Sequence, residues 1–342
     1  HPVVTCPASQ ILRAAAAMAR QTWPGADADF NLLVTGLDLA LDTAWRDYPW
    51  PELCRIAPRT LPYAYWTTSG SYTAGTGYIQ ASTNAVWLCV VAATGSDGAP
   101  DATPSKWVKA QRSWSGPDYD STVGASQGDI VTSAGTAYYC HTAAPAGTAI
   151  SNTAYFAALT ELDLDFPKTH ADYAETMDDV FSAYAGDPRP PTGSDPLNFQ
   201  IVDDAVRLWN SPATAWFHYR LPRPLLTGQR LDTSLNYDSG AQVYWQPGNS
   251  TGDFYTASEV AAAGETPSNT SAKWAVVELP RIFLQALTHG THAHVETCQG
   301  QGDRAVTVEM AMRYYLDEQI RRVEQQQNQR TPLTMALGPV PH

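Results

Sequence analysis

Lysine and arginine are scarce: 21 against 34 aspartates and glutamates, a formal net charge of −13. A nucleic-acid grip needs clustered cations that displace counterions from phosphates, so this balance argues against one. It remains compatible with a wall along which DNA slides, because attraction would hold the DNA in place. Cysteines are few and scattered: Cys6, Cys54, Cys89, Cys140 and Cys298. With no CxxC pair, neither a zinc site nor a disulfide framework is signalled. Free thiols in a reducing compartment are expected, with one bridge in the Cys89 and Cys140 region left open. No run of eighteen apolar residues occurs, so no membrane span is expected. The segment HPVVTCPASQ lacks the basic and apolar regions of a signal peptide.

Catalytic signatures are also wanting. No nucleophile elbow, HExxH, P-loop or GxGxxG after a strand is expected. The histidines His289, His292 and His294 cluster without a fourth ligand, and are read as a surface or interface feature rather than a metal site. Asp178-Asp179 and Asp203-Asp204 are adjacent pairs, which point apart, and are read as solvated surface rather than an acid–base couple. No enzyme activity, metal or other cofactor is expected.

What is present is enough apolar material to fold, 44 % of residues, with 25 prolines and 23 glycines spread widely as turn formers. Ser9 heads a helix through Ile11, Leu12, Ala15 and Met18. Asp29 heads another with Leu33, Leu37, Ala40, Leu41, Ala44 and Trp45 on one face. WPELCRIAPRTLP continues as a short amphipathic piece. Thr169 to Tyr184 is predicted helical from Tyr173, Met177, Val180, Phe181 and Tyr184. Two strands follow as a hairpin, with Asn210-Ser211-Pro212 in its turn. Pro280 starts a helix containing Ile282, Phe283, Ala286 and Leu287, interrupted by Gly290. A longer helix covers 304–326 with Val308, Ala311, Met312, Tyr315, Leu316, Ile320 and Val323 apolar.

Three stretches repeat a pattern of turn, strand, turn, aromatic strand, loop and closing aromatic. They are Gly75 to Trp107, Gly128 to Phe156 and Gly240 to Trp274. The first holds Trp87 and ends Pro104-Ser105-Lys106-Trp107. The second holds Tyr138 and Tyr139. The third holds Tyr255 and ends Lys273-Trp274. An exposed aromatic ring stacks on the apolar face of a sugar; a buried one is the module's own miniature core, since so small a sheet has little else to bury. Trp87, Trp107, Tyr138, Tyr139, Tyr255 and Trp274 are therefore candidate glycan contacts or module cores.

The segments Phe181 to Arg189, Leu208 to Pro212 and Ala215 to Arg220, with Leu279 to Phe283, Gly290 to His294, Gly300 to Ala305 and Leu316 to Gln327, resemble head-to-tail connector proteins of tailed bacteriophages. The three repeats resemble small chitin-binding-type carbohydrate modules, the second departing with Phe156 where the others have Trp. The resemblance implies an α+β fold: a helical adaptor core with a β-hairpin, interrupted by small β-rich modules. The expected division is 1–62 helical core, 63–118 first module, 119–165 second module, 166–232 core helix and hairpin, 233–278 third module, 279–330 helical core and 331–342 an exposed docking tail. Thr331, Pro332, Leu333, Met335 and Leu337 would carry the docking. It further implies a structural virion protein of the phage neck, assembled in the host cytoplasm. The chain would form a homo-oligomeric, twelvefold adaptor ring between the portal protein and a stopper or tail protein. Genomic DNA would pass without specific binding, and the modules would decorate the ring and touch host-surface glycans. A carbohydrate-binding protein, and another virion ring such as a stopper or tail terminator, stay open as alternatives.

Overall fold

Apolar residues recur at three- and four-residue spacing in five stretches, and four of the five are helices. A computed structural model describes residues 4–330 apart from 25–26, 171–172, 174, 191–192, 249–251 and 269–270. The helices are α1 (Ala8–Met18), α2 (Asp27–Asp47), α3 (Leu284–Cys298) and α4 (Gly302–Arg330). Short strands in several small sheets make up most of the remaining regular structure, so the fold is α+β. The chain divides into two units: His1–Cys54 with Pro222–His342, and Arg55–Leu221. The tail residues Thr331, Pro332, Leu333, Met335 and Leu337 lie outside the described residues.

The first unit holds all four helices and the third repeat. α3 packs against α1, α2 and α4, and strand Thr5–Pro7 pairs antiparallel with Glu278–Pro280. Ile11, Leu12, Leu33, Leu37, Leu41, Trp50, Phe283, Leu287 and Leu316 are buried in one cluster. α3 runs through Gly290 without the interruption expected there. A side chain at this position would meet Ala40 Cβ and Met312 Sδ at 2.6 Å. The glycine is there to let three helices close up, and neighbouring helices supply the stability its propensity lacks.

The third repeat packs into the helical cluster. Its strands Gln242–Trp245 and Asp253–Ala257 send Tyr244 and Phe254 into the helical cluster. Phe30 of α2 meets Tyr244 at 4.8 Å between ring centroids, and Tyr244 meets Phe254 at 5.2 Å. Asp253 reaches α1: its carboxylate accepts from the Ser9 hydroxyl at 3.0 Å and the Ser9 amide at 3.4 Å. It thus caps a helix whose N-cap residue, Pro7, provides no side-chain cap.

Desolvation pushes the Asp253 carboxyl above its ordinary range, against the lowering effect of those hydrogen bonds. A carboxyl raised in the folded state favours folding below its unfolded value, near pH 4, and that contribution is lost as pH rises through the folded value. Asp253→Asn, neutral throughout, should gain in Tm relative to wild type as pH is raised from 4 to 7. Thermal melts of both chains at the two pH values check this, and a relative loss at pH 7 would contradict it.

The second unit is built of strands. Val180–Tyr184 is a strand, correcting the helix expected over Thr169 to Tyr184. It lies in a four-stranded sheet ordered Pro196–Leu197, Val180–Tyr184, Thr214–Arg220, Cys54–Thr60. Ala183, Ala215, Phe217 and Tyr219 face the core, and alternate residues face away. The stretch expected as a short amphipathic continuation is the edge strand Cys54–Thr60, and Pro58 lies in it, edge strands being where a strand proline is tolerated. The predicted hairpin is also redrawn. Phe199–Val202 pairs with Ala205–Leu208 around Asp203-Asp204, with Asp203 at φ +50°. Asn210-Ser211-Pro212 instead carries the chain from that sheet to another. The segment from 166 to 221, expected to join the helices, thus folds as strands in the second unit.

Two charged knots fix this unit. Asp165 holds Arg112 at 2.9 Å and Arg207 at 2.8 Å, and the two arginines hold its carboxyl below the ordinary range despite desolvation. Arg59 is buried. It donates to the Glu175 carbonyl at 2.6 Å and the Tyr219 hydroxyl at 2.9 Å, with its guanidinium 4.3 Å from the Tyr173 ring centre.

Candidate functional site

The three repeats share one construction. Each is an antiparallel meander: Gly77–Gln80, Ala85–Cys89, Trp107–Lys109; Ile130–Ser133, Thr136–Cys140, Phe156–Ala158; and Gln242–Trp245, Asp253–Ala257, Trp274–Val276. Each is preceded by a glycine at positive φ, Gly75, Gly128 or Gly240, at 83° to 96°. Its amide donates to the carbonyl of Cys89, Cys140 or Ala257 at 2.7, 2.8 and 2.7 Å. A second bridge joins Tyr72 to Ala93, Ala125 to Ala144 and Tyr237 to Ala261. In the first and third copies a lysine beside the closing tryptophan pairs with a loop carboxylate: Lys106 with Asp97 at 2.9 Å, Lys273 with Glu265 at 2.8 Å. The second copy has Tyr155 at that place.

This geometry sorts the candidate aromatics. Trp107 is 1 % exposed and Trp274 5 %, each at the centre of its module's own cluster with Tyr72 or Tyr237 against it. They are cores, as is Phe156 in the second copy. Tyr139 is buried too, against the back of the first module. It shares a cluster with Leu88 and Val90, and its hydroxyl donates to the Pro104 carbonyl at 2.9 Å. Trp87, Tyr138 and Tyr255 occupy one equivalent position, two residues before Cys89, Cys140 and Ala257. All three are half-buried on the rim of the miniature core. Only these three of the six offer a ring to solvent. In the first module Trp66 and Tyr78 stand beside Trp87. Trp66 was missed because it precedes the repeat and joins it through tertiary packing: its amide donates to the Ile79 carbonyl.

Gly124-Ala125-Ser126-Gln127-Gly128 has the spacing of a nucleophile elbow, contrary to the sequence reading. An elbow places its serine between a strand and a helix. Ser126 sits in an exposed turn of the second module, its amide donating to Asp129 at 2.7 Å, and a strand follows it. The arrangement is a module turn.

The helical unit carries a second surface. Ala305, Met312 and Leu316 of α4 face inward. Val306, Met310 and Tyr314, four residues apart, face outward at 58, 63 and 63 % exposure. Beside them α2, α3 and α4 enclose an open groove of about 230 Å³, lined in part by Leu39, Thr43, His294, Glu309 and Arg313.

The three histidines diverge, and His292 is buried rather than at a surface. His292 Nε2 meets the buried Glu296 carboxylate at 2.9 Å, which also pairs with Arg304 at 3.1 Å. His289 stacks on Tyr315 at 5.2 Å; burial, then His292, push its imidazole below the ordinary range. His294 turns toward Cys298. No group of three or more His, Cys, Asp or Glu among the described residues is placed to hold a metal ion. The described cysteines are free thiols, Cys89 and Cys140 included. No described helix is long and apolar enough to cross a membrane. Asp178, Asp179, Asp203 and Asp204 are exposed, as expected.

No protein-family model matches the chain, and no curated protein matches it.

Proposed function

We propose that the chain is a structural subunit of a tailed-phage neck, an adaptor that assembles with its own copies into a ring between portal and tail. The observation that supports this best is the outer face of α4. A 29-residue helix presents Val306, Met310 and Tyr314 in a row, next to an open groove. Methionine and tyrosine are enriched where protein surfaces meet, so the row suits an assembly surface. A ring joins unlike faces of adjacent copies by rotation, so the row on one subunit would meet a different face of the next. Genomic DNA would pass an acidic wall without being held. The neighbours proposed are the portal protein and a stopper or tail protein.

Met310→Asp with Tyr314→Asp should leave helicity unchanged by circular dichroism and weaken ring formation. At about 2 kcal/mol per well-packed contact residue, each change costs roughly thirtyfold in association. Mass photometry of the chain mixed with portal reads the ring directly. Full ring formation by the double variant would remove α4 from the interface, and absence of the chain from the neck in single-particle electron microscopy would remove the adaptor reading.

A second reading, contact with glycans, is favoured by one observation: the half-buried ring recurring at Trp87, Tyr138 and Tyr255. These rims would decorate the virion rather than define its assembly.

A further inference from the structure

We propose that His294 and Cys298 form a chelate for a soft divalent cation such as Zn2+. The two residues are four apart on α3, so they share one helix face. His294 Nε2 lies 3.7 Å from Cys298 Sγ. Metal–nitrogen and metal–sulfur bonds of about 2.0 and 2.3 Å, closed at the tetrahedral angle, place their donors about 3.5 Å apart. The pair therefore stands within a few tenths of an ångström of its liganded spacing, on a rigid element.

The surroundings suit an ion arriving from solvent. Cys298 is exposed, and His294 is half-buried against Gly36, where an added Cβ would come within 3.1 Å of the imidazole. No third donor joins the pair among the described residues. Water completes the coordination sphere, which makes the site exchangeable, unlike a closed structural zinc site. The inference does not depend on the ring assembly.

Titration of the full chain with Co2+, followed by absorption, tests it. Wild type should develop a thiolate-to-cobalt charge-transfer band, and Zn2+ should bleach it. Cys298→Ser, a change at an exposed position, should abolish the band. His294→Gln, which keeps bulk beside Gly36, should weaken binding by at least about tenfold, the loss that even outer-sphere changes cause. Far-UV circular dichroism confirms that both variants are folded. A silent wild type, a band that survives Cys298→Ser, or unchanged affinity in His294→Gln would each overturn the proposal.

Discussion

Phe254→Ala is expected to destabilise the helical unit by about 3–5 kcal/mol, the cost of removing a large aromatic from a packed core. Phe254 is fully buried and belongs to a strand of the third repeat, yet it packs on Phe30 of α2 and on Tyr244. The cavity left would be lined by rings from both elements, which cannot collapse without moving a helix. Removing residues 240–274 altogether goes further. It strips Tyr244 and Phe254 from Phe30 and takes Asp253 from the start of α1. Helical circular dichroism should then fall at temperatures where the full chain is folded. Unchanged helicity after that deletion would show that the repeat decorates the helices rather than completing them.

Trp107→Ala should unfold the first module, again at about 3–5 kcal/mol, whereas Trp87→Ala should leave it folded. Trp107 is enclosed by Tyr72 and Tyr78 at 5.2 and 5.8 Å, and the module offers little else to bury. Trp87 lies at the rim, its indole N–H donating to the Thr83 hydroxyl at 3.3 Å. Amide hydrogen exchange across Gly77–Gln80 and Ala85–Cys89 separates the two: protection should be lost in the first variant and kept in the second. If Trp87→Ala abolishes binding to a glycan array while the module stays protected, the rim position has a contact role. If Trp107→Ala leaves the strands protected, its burial is not what holds the module.

Much of this was legible in the sequence where one periodicity had no rival. α2 was plain because Leu33, Leu37, Ala40, Leu41 and Ala44 repeat over many turns. The repeats were visible because the same glycine and closing aromatic recur at similar spacing. The misreadings came where two periods coincide. Tyr173, Met177, Val180, Phe181 and Tyr184 fit a helix by spacing, but Val180–Tyr184 is a strand of β-prone residues with Ala183 inward. Asn210-Ser211-Pro212 looked like a hairpin turn because its composition suits one; Asp203-Asp204 makes the turn instead, since a short polar side chain tolerates positive φ. For the candidate aromatics, sequence supplied the positions and tertiary packing decided their roles. Trp107 and Trp87 are alike in type and share one face of the sheet; Trp107 lies at the centre of its cluster and Trp87 at the rim. The outer face of α4 was not singled out because Val306, Met310 and Tyr314 are interleaved with the apolar residues that pack, Ala305, Met312 and Leu316 among them, and only packing shows which side is left over.

The helical unit is discontinuous: strand Thr5–Pro7 waits for Glu278–Pro280, and α1 and α2 wait for α3. During synthesis, the whole second unit emerges before those partners do. Loop closure across so long an insertion adds little to the equilibrium cost, since that cost grows only with the logarithm of length. The burden falls on kinetics. The apolar faces of α1 and α2 stay open until α3 has left the ribosome, and such faces are what chaperones bind and what aggregates. The second unit has no such delay. Its sheets close among residues 55–221 alone, so the ribosome presents a finished β unit while the helices still wait for their own last third of sequence.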